Sequence, residues 1–186
     1  FRGRDPRAYY YEGSGWFTAF VGGSHEFLTE SGARDLDART MFHYPYTAVT
    51  PAMAMQVVGI GSQYGVTTVD ADGNYLDGSR TCSLTLPAGI PAKNFWSFVN
   101  YDPQTRSILQ TPTTAQPSVS SQSGEVQAND DGSVTVWFGP EPPPGKASNW
   151  VPTVPGKGWF TVLRLYGPLE PWFDKSWRPG EIELVD

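Results

Sequence analysis

Asp102 and Arg106 bracket the turn Asp102-Pro103-Gln104-Thr105-Arg106, and Asn149 and Trp150 sit in a second turn-rich stretch. Together they make a plausible cleft for a small ligand. A guanidinium would grip an acidic group through paired N–H donors, and an indole would cover a flat ring. A carboxylate-based hydrolase or lyase acting on a sugar-like or polyol substrate would use Asp102 or Glu170 as acid or base, with Arg106 as the anion clamp. The same turn also has a purely local explanation. An aspartate before proline accepts hydrogen bonds from backbone donors two or three residues on, and that Asx-type turn is the favoured reading of Asp102.

The string Asp70-Ala71-Asp72-Gly73-Asn74, with Asp77 beyond it, has the look of a calcium loop. It fails the twelve-residue pattern, because Tyr75 stands where glycine is needed and Thr81 where the bidentate glutamate belongs. A hairpin turn explains these residues without metal, and calcium held by Asp70, Asp72 and Asp77 is the alternative. No other cofactor is evident. Gly59-Ile60-Gly61 lacks the third glycine at dinucleotide-loop spacing, and there is no Gly-x-Ser-x-Gly elbow. His25 and His43 are too few for a histidine-rich zinc site, and the single Cys82, between Thr81 and Ser83, reads as a buried thiol. Arg164 lies inside an apolar strand and needs a partner if buried; Glu170 and Asp174 are the carboxylates nearby in sequence. Trp96, Trp137 and Trp159 fall in strands and read as core. Trp150, Trp172 and Trp177 fall in irregular stretches and are the better contact candidates.

The elements that must hold these residues are mostly strands. Alternating or apolar runs at 64–69, 80–86, 95–101, 133–138 and 158–166 are separated by Gly, Pro, Asn and Asp clusters. Residues 95–101 suggest burial on both faces near the start of the run. The stretch 111–124 reads as a long polar loop, 140–145 as irregular, and 170–177 as one helical turn. Ahead of the strands, 16–21 could be a short strand. Asp35 caps a helix with Leu36, Met41 and Phe42 on its apolar face, interrupted by Pro45, and Thr50-Pro51 opens a second short helix. Strands without alternating long helices argue for an antiparallel β-sandwich.

Composition supports that architecture and narrows the function. Aromatics are 14% of the 186 residues, with 20 glycines and 17 prolines, a balance that suits many strands and tight turns. The net charge of −6, with no basic run, gives no field to neutralise phosphates, so nucleic-acid binding is not expected. The longest apolar stretch, around 52–60, is too short for a membrane span. Arg2, Arg4 and Arg7 around Asp5 make a polar opening unlike a secretion signal.

Several strings occur together in a fixed order: Asn94-Phe95-Trp96-Ser97, Tyr101-Asp102-Pro103-Gln104-Thr105-Arg106-Ser107 and Ala128-Asn129-Asp130-Asp131-Gly132. They continue with Phe138-Gly139-Pro140, Gly145-Lys146-Ala147-Ser148-Asn149-Trp150-Val151-Pro152 and Leu163-Arg164-Leu165-Tyr166-Gly167-Pro168, and end with Phe173-Asp174-Lys175-Ser176-Trp177. Over roughly residues 60–182 the chain resembles the DUF1214 domain, the C-terminal partner of a DUF1254 domain. The resemblance implies a mainly β fold: a jelly-roll-like sandwich over 60–186, preceded by a connecting segment of short strands and helices over 1–59. It also implies export, to the periplasm or beyond, and an N-terminal DUF1254-like partner not contained in this chain. It supplies no catalytic residues. The expected role is a binding, interaction or assembly unit, with pairing of sandwich edges into homo-oligomers as a further option.

Overall fold

The computed structural model describes residues 5–46, 48–112 and 115–185. Arg2 and Arg4 of the polar opening lie outside them. Among the described residues eight strands form: β1 (Ser62–Thr67), β2 (Cys82–Leu86), β3 (Ala92–Tyr101), β4 (Ser118–Ser120), β5 (Val134–Gly139), β6 (Trp150–Pro152), β7 (Phe160–Pro168) and β8 (Glu183–Leu184). They make two four-stranded sheets, ordered β1-β7-β3-β4 and β6-β5-β2-β8. All pairings are antiparallel except β5 with β6, which is parallel.

The two sheets face each other across one apolar layer. In β2, Cys82, Leu84 and Leu86 are buried while Ser83 and Thr85 are not; in β5 the inward set is Val134, Val136 and Phe138. Opposite them stand Trp96 and Phe98 of β3 with Leu163 and Leu165 of β7. Each such side chain contributes about 1.5–3 kcal/mol by leaving water.

The first sheet is covered on its outer face as well, so β3 and β7 read as continuous buried runs rather than alternating ones. The cover is the N-terminal segment. Ala8, Phe17, Phe27, Ala38 and Phe42 form a second apolar cluster with Val66, Phe160 and Val162. Within the segment, helix α1 (Leu36–Tyr46) starts where Asp35 Oδ1 accepts the Ala38 N–H at 2.9 Å. Its buried face is Ala38 and Phe42, and Leu36 is exposed. Pro45 lies in its last turn, and the four-residue helix α2 (Pro51–Ala54) follows. The 16–21 run forms no regular strand, but Phe17 exchanges two backbone hydrogen bonds with Val66 on the free edge of β1. A further one-turn helix, α3 (Glu170–Phe173), follows β7. The polar stretch 111–124 differs from the loop expected of it. Ser118–Ser120 pairs with Ser97–Val99 as β4, and a 3-10 turn follows.

Candidate functional site

Strand register sets one group of side chains against the cover. Tyr64 of β1 and Ser97 of β3 flank Arg164 of β7, and Val66 and Val99 flank Val162 one row along. Successive side chains on a strand alternate faces, so Arg164, Tyr64, Tyr101 and Tyr166 all project toward the N-terminal segment. That segment does not fill the space above them. A cavity of about 310 Å³ remains, floored by the strands and roofed by Pro45, Tyr46 and Met53. Arg106 stands in its wall.

Arg164 is the charged group of the floor. Its Cζ lies 5.4 Å from the Tyr64 ring centroid and 5.3 Å from that of Tyr166. Among the described residues it has no carboxylate at ion-pair distance. The sequence pointed to Glu170 or Asp174, and neither serves. Glu170 is exposed at the start of α3, beyond the end of the strand, and Asp174 accepts the Ser176 N–H. Burial works against the charge on Arg164, but the phenols of Tyr64, Tyr166 and Tyr101 more than offset it, so its pKa is raised. Burial also pushes Tyr46 up to about 12 and raises Tyr101 and Tyr166. At neutral pH these phenols are therefore neutral hydrogen-bond donors and acceptors around a guanidinium.

Arg106 is held by its backbone and by a ring. It adopts a left-handed conformation (φ 62°), and its N–H donates to the Asp102 carbonyl at 2.8 Å. Its Cζ lies 3.9 Å from the Tyr44 ring centroid. Of Asp102, Arg106, Asn149 and Trp150, Arg106 alone lines this cavity. Asp102 is buried in the Asx turn, its Oδ1 accepting from the N–H of Gln104 and Thr105. Those bonds, with Gln104 first, lower its pKa. The Asn149 amide is fully committed: its oxygen accepts the Gln127 N–H, and its nitrogen donates to the carbonyls of Gln127 and Thr135. Trp150 Nε1 donates to the Gly139 carbonyl.

Among the described residues no carboxylate lines the cavity. Asp70 spends its oxygens on Asp72 and Asn74, and Asp77 accepts the Ser79 N–H. Among the described residues no group of three or more His, Cys, Asp or Glu side chains is placed to hold a metal ion. His25 and His43 are exposed. Among the described residues no helix is long and apolar enough to cross a membrane.

The family described as "Protein of unknown function (DUF1214)" matches residues 61–170. The chain belongs to the DUF1214 family. No curated protein matches it. Its fold is similar to the crystal structure of the VPA0106 protein from Vibrio parahaemolyticus, with a TM-score of 0.61 and 21% identity over 84% of this chain. A weaker likeness is to an uncharacterized protein from Burkholderia cenocepacia, with a TM-score of 0.43 and 19% identity over 74% of this chain. This chain spans 36% and 33% of those proteins.

In this DUF1214 chain the floor of the cavity lies within the matched residues, and its roof lies before them. Arg164 carried a visible signal, a cation inside an apolar strand. Tyr46 and Met53 carried none, because only the docking of the N-terminal segment brings them over the sheet. Trp172 and Trp177 are buried in the core, whereas Trp137 in β5 is half-buried on the outer side of the second sheet.

Proposed function

We propose that this DUF1214 chain is a binding module whose cavity takes a small molecule with an anionic group and an apolar or aromatic body. The observation that carries this reading is Arg164, a half-buried guanidinium without a carboxylate partner among the described residues, set among tyrosines under an open cavity. A cavity of a few hundred Å³ with apolar walls and a few converging polar groups suits a small ligand. A guanidinium in such a place prefers a carboxylate or phosphate that completes its bonding. The module acts in an exported protein, beside the DUF1254-like partner that the family resemblance implies. Acid–base hydrolysis has less support, since Asp102 and Glu170 lie off the cavity and Asp102 is held ionised by its turn.

Calorimetric titration of the whole chain with benzoate and octanoate, against benzyl alcohol and octanol, tests this reading. The acids should bind and the alcohols should bind at least about tenfold more weakly. Arg164→Gln should remove that preference. Equal binding of acids and alcohols, or a preference untouched by Arg164→Gln, would refute the assignment.

A further inference from the structure

A second cavity, of about 260 Å³, lies at the free edge of β1. Tyr10, Gln63, Trp172 and Lys175 are among its walls. Lys175 has a left-handed backbone (φ 66°), unusual for a residue with a β-carbon. Its Nζ lies 4.2 Å from the Tyr10 ring centroid, 5.6 Å from that of Tyr11 and 5.8 Å from that of Trp172. No carboxylate among the described residues pairs with it, and partial burial lowers its pKa. Arg7 lines the same cavity, but Asp5 and Asp35 already hold its guanidinium at 2.6 and 2.7 Å. Lys175 is thus a cation there that a ligand can engage, beside the exposed ring of His25.

Walls are shared between the two cavities. A narrow space of about 20 Å³ crosses the edge of β1 between them. It shares Tyr10, Thr18 and Gln63 with the lysine end, and Tyr46, Tyr64 and Val66 with the arginine end. Gln63 and Tyr64 are successive residues of an edge strand, so their side chains leave on opposite sides, one toward each cavity. Met53 lines all three spaces. It is half-buried on the four-residue α2, whose cap Thr50 makes no side-chain hydrogen bond. Methionine is unbranched and changes rotamer readily, so Met53 is an adaptable part of the wall of this neck.

We infer that the two cavities are the ends of one channel, and that its ligand is an elongated dianion with an acid group at each end of an apolar body. Arg164 holds one acid and Lys175 the other, with Met53 moving aside over the middle. The inference rests on the arginine cavity being a ligand site. It accounts for Lys175 at the far end, a cation without a carboxylate partner among the described residues, which a single-headed ligand held by Arg164 leaves unexplained.

Calorimetric titration of the whole chain with adipate, suberate, sebacate and dodecanedioate, each against its monocarboxylate of equal chain length, tests the channel. One dicarboxylate length should bind roughly tenfold tighter than its monocarboxylate. Lys175→Gln should erase that gain, and Lys175→Arg should restore it. Arg164→Gln should weaken both series. If mono- and dicarboxylates bind alike at every length, or Lys175→Gln changes neither series, the channel is refuted and the single-cavity reading stands. If neither series binds, both fall.

Discussion

Asp102 Oδ2 lies 3.2 Å from Lys157 Nζ, tying the end of β3 to the loop that leads into β7. The carboxylate is buried and its other oxygen accepts two backbone N–H groups, so the turn is built around its charged form. Lys157 is half exposed, and water screens its share.

The pH dependence follows from the lowered pKa of Asp102, which backbone donation from Gln104 leads and burial opposes. A depressed folded pKa contributes stability that is present above the unfolded value of about 3.9 and lost as pH falls through the folded value. At neutral pH Asp102→Asn should cost about 1–3 kcal/mol, and Lys157→Ala less than about 1 kcal/mol. Urea unfolding at neutral pH and near pH 3 checks this. The gap between the wild-type chain and Asp102→Asn should narrow in acid; a gap independent of pH would count against the assignment.

Gly78 leaves no room for a side chain. A β-carbon there would overlap the Val154 carbonyl and lie 2.9 Å from the Lys157 carbonyl oxygen. Its own N–H and carbonyl are bonded to Lys157 and Thr153 across the same contact. Gly78→Ala should therefore cost about 3 kcal/mol, through backbone displacement rather than any lost contact. Gly89 has φ 75° but open space, so Gly89→Ala should cost only about 1 kcal/mol. Thermal melts of the two variants compare crowding with conformational strain directly.

Much of the sandwich was legible because alternation is a property of the residues themselves. Leu84 and Leu86 against Ser83 and Thr85, or Val134, Val136 and Phe138 against their neighbours, can be sorted into faces without coordinates. The parallel strand β6 and the short strands β4 and β8 were not legible. Ser118-Val119-Ser120 is polar at two positions of three and owes its strand to pairing with β3. Trp150–Pro152 and Glu183–Leu184 are too short to show a period. The candidate site divided in the same way. Arg164 and Tyr64 fall on one face by register, and register follows from strands that could be found. The roof depends on how residues 36–54 dock, and their apolar residues predict burial without saying against what. Turn chemistry at Asp102 was readable because its partners are two and three residues away.

Trp16 ties the N-terminal segment to the far end of the chain. It is fully buried, and its Nε1 donates to the Gly180 carbonyl at 2.9 Å. Gly65 makes the space it occupies, since a β-carbon there would lie 3.2 Å from the Trp16 ring and 3.3 Å from that of Trp172. Trp16→Ala should cost about 3–5 kcal/mol, and Trp16→Phe less, with the carbonyl of Gly180 left unsatisfied. Equilibrium urea denaturation measures both. A loss of less than about 1 kcal/mol for Trp16→Ala would mean that the segment docks independently of the sandwich.

Phe42 links the packing of the cover to the cavity beneath it. Its ring has no exposed surface and sits 5.1 Å from Tyr46, 5.2 Å from Phe27 and 4.8 Å from Phe20, measured between centroids. Tyr46 in turn forms part of the roof over Arg164. Phe42→Ala should remove about 3–5 kcal/mol of packing, concentrated in the cover because the layer between the two sheets does not include Phe42. Hydrogen exchange should therefore speed up in residues 36–54 before it does so in β2 and β5. Because Tyr46 loses its stacking partner, octanoate binding should weaken together with that exchange, while Arg164 keeps its preference for an acid over an alcohol. Exchange that rises equally in β5 and in α1 would show that the cover and the sandwich unfold as one unit.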